Sequence, residues 1–344
     1  MKNRKFLAGI LAGCLALSLA ACGNTPDGDG GKNDGGKGTA AGDGEKITVV
    51  LDWTPNTNHT GMYVALEKGY YKEAGLEVEI MQPPEDGASA LVAAGKAEFG
   101  INAQDTIAPA FAMEQPLPVT AVAALIQHNT SGIISRKGEG IDHPGGLDGK
   151  TYATWDNPVE QAMIENVVNG DGGDYGKVNL IPNNITDEAA ALEMNQTDAI
   201  WVFYGWGGIS AKLRGVETDF FNFVDYNKTF DYYTPVLIAN NDFLAERPEA
   251  AKAFLAATAR GYEDAVKDPE EAAKILCTAD PSLDKELVSE SQKWLADQYM
   301  ADTEQWGYID PARWNGFYQW LWENQLISVE IPENFGFSND YLAK

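Results

Sequence analysis

The chain reads as an α/β protein of two lobes, each a mostly parallel sheet with helices on both faces, followed by a run of C-terminal helices. Three observations predict this class. Short β-branched, apolar runs alternate with helical-period segments over residues 47–125, and again over 151–224. Gly and Pro punctuate the changes of period. Beyond Thr234-Pro235 the apolar residues recur every three or four positions, the helical spacing.

Each element follows from local residues. Residues 47–53 are β-branched and apolar, a buried-strand signature. Residues 60–68 have helical spacing and stop at Gly69. A strand is expected over 76–81 and a helix over 86–94, opened by an Asp86 cap and closed by Gly95. Strand 98–104, helix 105–114 with Pro109 inside it, and strand 119–125 complete a β-α-β-α-β-α-β run, the order of a mostly parallel sheet. In the second run, strands are expected over 151–155, 178–182, 198–204 and 221–224, with helices over 158–168, 187–196 and 205–213 between them. Asp86, Ala88, Ala90 and Leu91 match Asp187, Ala189, Ala191 and Leu192 at an offset of 101, a weak sign of duplication beside a firmer architectural parallel. Tail helices are expected over 248–266, 270–276, 285–299 and 311–323. The organisation is then a bilobed binding protein, with residues 46–130 and 236–344 as lobe 1 and 131–235 as lobe 2. The crossings fall near 128–131 and 231–236.

The N-terminal segment stands apart. Met1-Lys2-Asn3-Arg4-Lys5 is basic, and residues 6–21 are uncharged and apolar, short for a membrane span and suited to a signal peptide over residues 1–21. The run ends in Leu19-Ala20-Ala21-Cys22, which resembles the lipobox of bacterial lipoproteins and makes Cys22 the expected lipidation site. Leu11-Ala12-Gly13-Cys14 fits the same pattern but leaves a very short apolar region. Residues 22–45 are the lipidated Cys and a linker of Gly, Asp, Asn, Lys and Thr with almost nothing to bury. A flexible tether of that length has an r.m.s. span of about 25–30 Å. The expectation is an extracytoplasmic head, held by lipid to the outer face of the cell membrane.

Composition excludes several functions. The 344 residues carry 51 acidic and 25 basic side chains, a formal charge of −26, which disfavours nucleic acid and anionic lipid surfaces. Three Cys give no disulfide scaffold, and three His with no ligand spacing give no metal site; neither a metal nor a cofactor is expected.

Ligands of open α/β sheets bind outside the carboxyl ends of the strands. Those ends carry Asp52-Trp53 with Asn56 and His59; Asn102, Gln104 and Asp105; Trp155-Asp156-Asn157 with Glu160 nearby; Tyr204 and Trp206; and Tyr232 before the second crossing. No Lys or Arg is among them. Aromatic faces sandwich a planar ring, and amides and carboxylates meet its edge, so the set suits a neutral or cationic heterocycle. A phosphate, sulfonate or nitrate would favour basic residues or a Gly-rich helix start. Each residue also has a plainer reading. Any of the Trp residues can be core. Asp105, Asp156 and Asn157 are helix caps or ligand contacts, His59 bonds the local backbone or faces the ligand, and Glu160 serves the helix dipole or the cleft. Asp86 and Asp187 are caps. At helical spacing Trp306, Trp314, Trp320 and Trp322 are expected to be core, and Cys277 is expected to be a buried small hydrophobe.

The segment Leu51-Asp52-Trp53-Thr54-Pro55-Asn56-Thr57-Asn58-His59-Thr60-Gly61 resembles the opening of the thiamine-pyrimidine family of solute-binding proteins. Trp201-Val202-Phe203-Tyr204-Gly205-Trp206 and Tyr232-Tyr233-Thr234-Pro235 carry the same resemblance, which covers roughly residues 47–326. It implies a type II periplasmic-binding fold in a monomeric lipoprotein that delivers a pyrimidine precursor of thiamine to an ABC permease and its ATPase. It also implies ring stacking and polar edge contacts from Trp53, Asn56, His59, Trp155, Tyr204 and Trp206. The family includes flavin-precursor and other heterocycle binders. It is similar to fungal enzymes that make the same pyrimidine from a Lys-bound pyridoxal phosphate, a His and iron held near a Cys cluster. Here the third strand ends in Asn102, Gln104, Asp105 and Thr106, with neither Lys nor His, and the Cys cluster is absent. The expectation is a binding protein and not an enzyme, with riboflavin or an alkylsulfonate as alternative ligands.

Overall fold

Ten strands pair into two five-stranded sheets in the computed structural model, which describes residues 44–84, 87–183 and 185–343. The signal peptide, Cys14, Cys22, nearly all of the linker and the Asp86 cap lie outside the described residues. In chain order the strands are β1 (Glu45–Val50), β2 (Leu76–Met81), β3 (Phe99–Asn102), β4 (Val119–Ala124), β5 (Ser131–Arg136), β6 (Thr151–Thr154), β7 (Asn179–Pro182), β8 (Ala199–Phe203), β9 (Thr218–Asn222) and β10 (Val236–Asn240). The first sheet runs β2-β1-β3-β10-β4 and the second β7-β6-β8-β5-β9.

The two orders follow one plan. β1 pairs parallel with β2 and β3, as β6 does with β7 and β8. In the fourth place stands the strand that has just crossed from the other sheet, antiparallel to both neighbours: β10 in the first sheet, β5 in the second. The sheets are therefore mixed, where mostly parallel ones were expected. Both crossing strands were unforeseen. β10 follows Thr234-Pro235 and runs straight into the helix Asn241–Glu246, which Asn240 caps by accepting from the Phe243 amide, so its five residues are lost between two changes of period. β5 has only two apolar side chains, Ile133 and Ile134, between polar flanks. Its Gly132 is required, because a Cβ there would lie 2.0 Å from the Phe221 carbonyl of β9. β9 itself begins at Thr218 and ends at Asn222, earlier than expected, and Phe223–Tyr226 is helical.

Burial explains the rest of the pattern. Ile47, Val49 and Val50 of β1 are all buried because that strand is covered on both sides. β2 is an edge and alternates, with Glu77 and Glu79 among its outward residues, charges that discourage further pairing. The helix Thr60–Glu67 ends before Gly69, which takes φ 76°. The tail helix Pro248–Lys267 crosses it so closely that a Cβ on Gly261 would lie 2.0 Å from the Gly61 carbonyl. A second tail helix, Lys285–Ala296, reaches both halves: Ser291 Oγ lies 2.6 Å from Thr57 Oγ1 and bonds the Gly205 carbonyl. The helix Pro311–Glu323 packs Phe317 on Tyr232 with ring centroids 4.2 Å apart, anchoring the second crossing. On the same helix Trp322 is exposed, and Cys277 is half-buried, where both were expected in the core. No helix among the described residues is long and apolar enough to cross a membrane.

Candidate functional site

A cavity of about 320 Å³ opens at the carboxyl ends of β1, β3, β6 and β8 and against the second crossing. Its lining includes Asp52 and Asn58 after β1, Ala103, Asp105 and Thr106 after β3, Trp155, Asn157, Glu160 and Met163 beyond β6, Trp201 and Phe203 of β8, and Tyr232, Thr234 and Pro235. Three carboxylates and four aromatic rings share this wall, and none of its residues is Lys, Arg, His or Cys.

Asp52 is held by an imidazole behind it. The Asn56 backbone N–H donates to His59 Nδ1 at 3.2 Å, so the ring proton sits on Nε2 and is donated to Asp52 Oδ1 at 2.8 Å. Neutral His59, fully buried, thus fixes the carboxylate from the protein side and leaves its second oxygen uncommitted. Asn56 caps the same turn, its side chain accepting from the Asn58 amide at 2.9 Å.

Asp105 is placed differently. It lies in the first turn of the helix Gln104–Phe111, where the dipole favours a carboxylate. Its side-chain partners are the Tyr232 and Thr106 hydroxyls, each at a long 3.5 Å. Burial pushes its pKa above the ordinary carboxylate range, against the backbone amides of Thr106 and Asp105 and the Tyr232 hydroxyl, which favour the ion. An under-bonded carboxylate in a cavity wall is the strongest local demand for a hydrogen-bond donor.

Glu160 is the opposite case. It accepts from the Tyr152 hydroxyl at 2.5 Å, the Thr154 hydroxyl at 2.9 Å and the Trp155 amide at 3.0 Å, and the Asn157 amide lies 3.4 Å away. Burial first, and then this carboxylate, hold the Tyr152 phenol well above its usual pKa. With its lone pairs occupied, Glu160 shapes the β6 end and so presents Trp155, which is 50% exposed and tilted 51° against Trp201 at 5.6 Å between centroids.

Five of the twelve anticipated residues line the cavity: Asp52, Asp105, Trp155, Glu160 and Tyr232. The others stand elsewhere. Asn56 and His59 are buried behind Asp52, and Trp53, 57% exposed, is outside the lining. Gln104 is fully buried, tying the second crossing to the tail by donating to the Trp314 carbonyl and accepting from the Tyr233 amide. Asp156 takes φ 59°, which turns it to solvent, where it accepts from Gln161. After β8 the chain enters a π-turn, Tyr204–Gly208, which carries Tyr204 onto Phe220 and Trp294 and packs Trp206 among Tyr63 and residues of the tail helices. Trp201 and Phe203 take the positions expected of that pair. Strand alternation supplies the signal that was available: Trp201 and Phe203 point to one side of β8, and Tyr204 begins the turn.

Residues 56–272 match the NMT1/THI5-like family, and the chain belongs to it. It is 29% identical over 301 residues to the formylaminopyrimidine-binding protein of Halalkalibacterium halodurans, covering 86% of this chain and 90% of that one. It is 26% identical over 273 residues to the 4-amino-5-hydroxymethyl-2-methylpyrimidine phosphate synthase THI13 of Saccharomyces cerevisiae, covering 71% and 74%. Among solved structures it resembles the alkanesulfonate-binding protein SsuA of Xanthomonas axonopodis pv. citri bound to MOPS, with a TM-score of 0.65 at 11% identity over 87% of this chain and 98% of that one. The fold is that of the solute-binding proteins.

Proposed function

We propose that this chain is the extracytoplasmic solute-binding component of an ABC importer, tethered through Cys22, and that it captures an aminopyrimidine precursor of thiamine in the cavity between the two sheets. The Asp105 carboxylate, under-bonded in a wall without a single cation, carries the reading. A 4-aminopyrimidine offers an exocyclic N–H₂ beside a ring nitrogen that accepts a proton, a donor pair that matches one carboxylate. Hydrogen bonds to a charged group are worth about 1.5–3 kcal/mol each. Asp52 offers a second acceptor, and Trp155, Phe203 and Tyr232 provide the aromatic surface. The formylaminopyrimidine-binding relative supports the same ligand class.

An alkylsulfonate, the ligand class of the SsuA fold neighbour, is disfavoured by charge. Like charges about 4 Å apart repel by roughly 4 kcal/mol at an effective dielectric of 20, and this wall offers carboxylates where a sulfonate needs cations. Riboflavin remains a second heterocycle to titrate. The synthase chemistry of the yeast relative does not fit, because the lining has no Lys to carry pyridoxal phosphate and no His beside it. A pyridoxal absorbance band surviving dialysis would reverse that judgement.

In the mechanism proposed, residues 46–130 with 236–344 and residues 131–235 move as two lobes about the crossings. Ligand entering between them shifts the population toward a closed form, by its higher affinity for that form. Closure excludes water from the carboxylate contacts, and the permease recognises the closed chain. The test is titration calorimetry with 4-amino-5-hydroxymethyl-2-methylpyrimidine, its formylaminomethyl analogue, riboflavin and an alkylsulfonate. The pyrimidines should bind and the sulfonate should not; the reverse order refutes the proposal.

A further inference from the structure

Among the described residues, two buried Trp side chains pair their indole N–H with a backbone carbonyl and a third, sealed from solvent, does not. Trp306 Nε1 donates to the Leu125 carbonyl at 3.3 Å and Trp314 Nε1 to the Phe335 carbonyl at 2.9 Å. Both stand in the core, where an indole N–H is ordinarily paired. Trp201 is 5% exposed, yet its Nε1 has no partner among the described residues and no access to solvent. Its ring is well fixed: it packs on Phe223 with centroids 4.2 Å apart, and its place in β8 is opposite Ile133 of β5. The same residue lines the cavity that holds Asp105. A buried donor without an acceptor is costly to the fold, and a fixed ring has no cheap way to turn toward one.

We infer that Trp201 is a specificity-determining residue whose indole N–H donates to a lone-pair acceptor on the bound heterocycle. This rests on the aminopyrimidine reading above and completes it. Asp105 accepts from the amino edge of the ring, and Trp201 supplies the one neutral donor of the opposite sense among the aromatic groups of β8. The two together distinguish a ring that has a donor edge and an acceptor elsewhere from a flat molecule that has only one of these. The acceptor is either the second ring nitrogen or the oxygen of the substituent at position 5. Trp155, tilted against Trp201 and half-exposed, is the neighbouring ring of the cavity wall, and the donor is engaged by a shift of that wall on binding, with Trp155 stacked on the ligand.

The test uses the full chain and Trp201→Phe, which keeps an aromatic ring and removes the N–H. Calorimetry with 4-amino-5-hydroxymethyl-2-methylpyrimidine should show about tenfold weaker binding in the variant, the size of one hydrogen bond. Its melting temperature should stay level or rise, because an unpaired donor has been removed from the interior. In ¹⁵N–¹H spectra of the wild type, the indole resonance that Trp201→Phe abolishes should move downfield on saturation with the pyrimidine. Repeating the titration with the 5-methyl analogue separates the two acceptors: a retained shift assigns the ring nitrogen, and a lost one assigns the 5-substituent oxygen. Equal affinity in wild type and variant, or an indole resonance that does not move, overturns this inference while leaving the ligand assignment standing. A wild type that fails to bind any aminopyrimidine overturns both.

Discussion

The two sheets share one strand order, but the carboxyl ends of their matching strands do different chemistry. In the first sheet, β1 and β3 end in Asp52 and Asp105, carboxylates with bonding capacity left over. In the second, β6 and β8 end in Trp155, Trp201 and Phe203, and the one carboxylate of the cavity wall there, Glu160, is spent on holding the β6 end in place. On the proposed function, a common scaffold separates edge recognition from face recognition. Neither side alone can orient a heterocycle: a carboxylate without a ring surface does not fix the plane, and a ring surface without the carboxylate does not fix the edge.

The strongest way to break this contrast is to remove the carboxylate that is said to be structural. Glu160→Ala would leave the Tyr152 and Thr154 hydroxyls and the Trp155 amide without their acceptor, and should destabilise the chain by roughly 3–5 kcal/mol. Thermal or urea unfolding measures it; a change below about 1 kcal/mol would mean that Glu160 is free for ligand after all. Next in size is Asp105→Asn, which should leave the melting temperature level or raise it while weakening pyrimidine binding roughly 10–100-fold. An unchanged affinity would move edge recognition to Asp52. On the aromatic side, Trp155→Ala should cost about 0.5–1.5 kcal/mol of binding beyond the area lost, read by the same calorimetry. Trp53→Ala should have little effect, because that ring is outside the cavity wall.

The smallest effect concerns the crossings that join the sheets. His128 Nδ1 bonds Asp231 at 2.7 Å and Nε2 bonds Asp302 at 3.0 Å, while Arg313 lies 3.5 Å from the same Asp231 carboxylate. The hydrogen bond to Asp231 is the main cause of a raised imidazole pKa, which burial and Arg313 oppose and Asp302 supports. A group whose pKa is raised by folding stabilises fully below its unfolded value of about 6.5, and that stabilisation is lost as pH rises through the higher native value. The melting temperature of the wild type should therefore fall relative to His128→Gln as pH rises above about 6.5. Parallel curves would show that the bridge is unimportant to the join.

Much of the fold was legible in the sequence because most elements advertise a single period. β2 and the helix Pro311–Glu323 occur at the residues the spacing predicts. The two crossing strands were not legible, since β5 and β10 owe their positions to partners far along the chain and carry only short apolar runs. In the candidate site, strand-end logic located the loops that line the cavity. It could not say which way each side chain faces. His59, Gln104 and Tyr204 sit at strand ends and turn into the protein, where backbone partners and tail rings hold them. Trp201 was hidden for the complementary reason: within an apolar strand it looks like core, and only its unpaired N–H sets it apart.

The division of labour between the sheets is tested most directly by a crystal structure of the chain with bound 4-amino-5-hydroxymethyl-2-methylpyrimidine. The ring is expected against Trp155 and the β8 aromatics, with its amino edge within hydrogen-bonding distance of Asp105. A ring lodged outside the β1, β3, β6 and β8 ends, or one with its amino edge turned away from both Asp52 and Asp105, would contradict it.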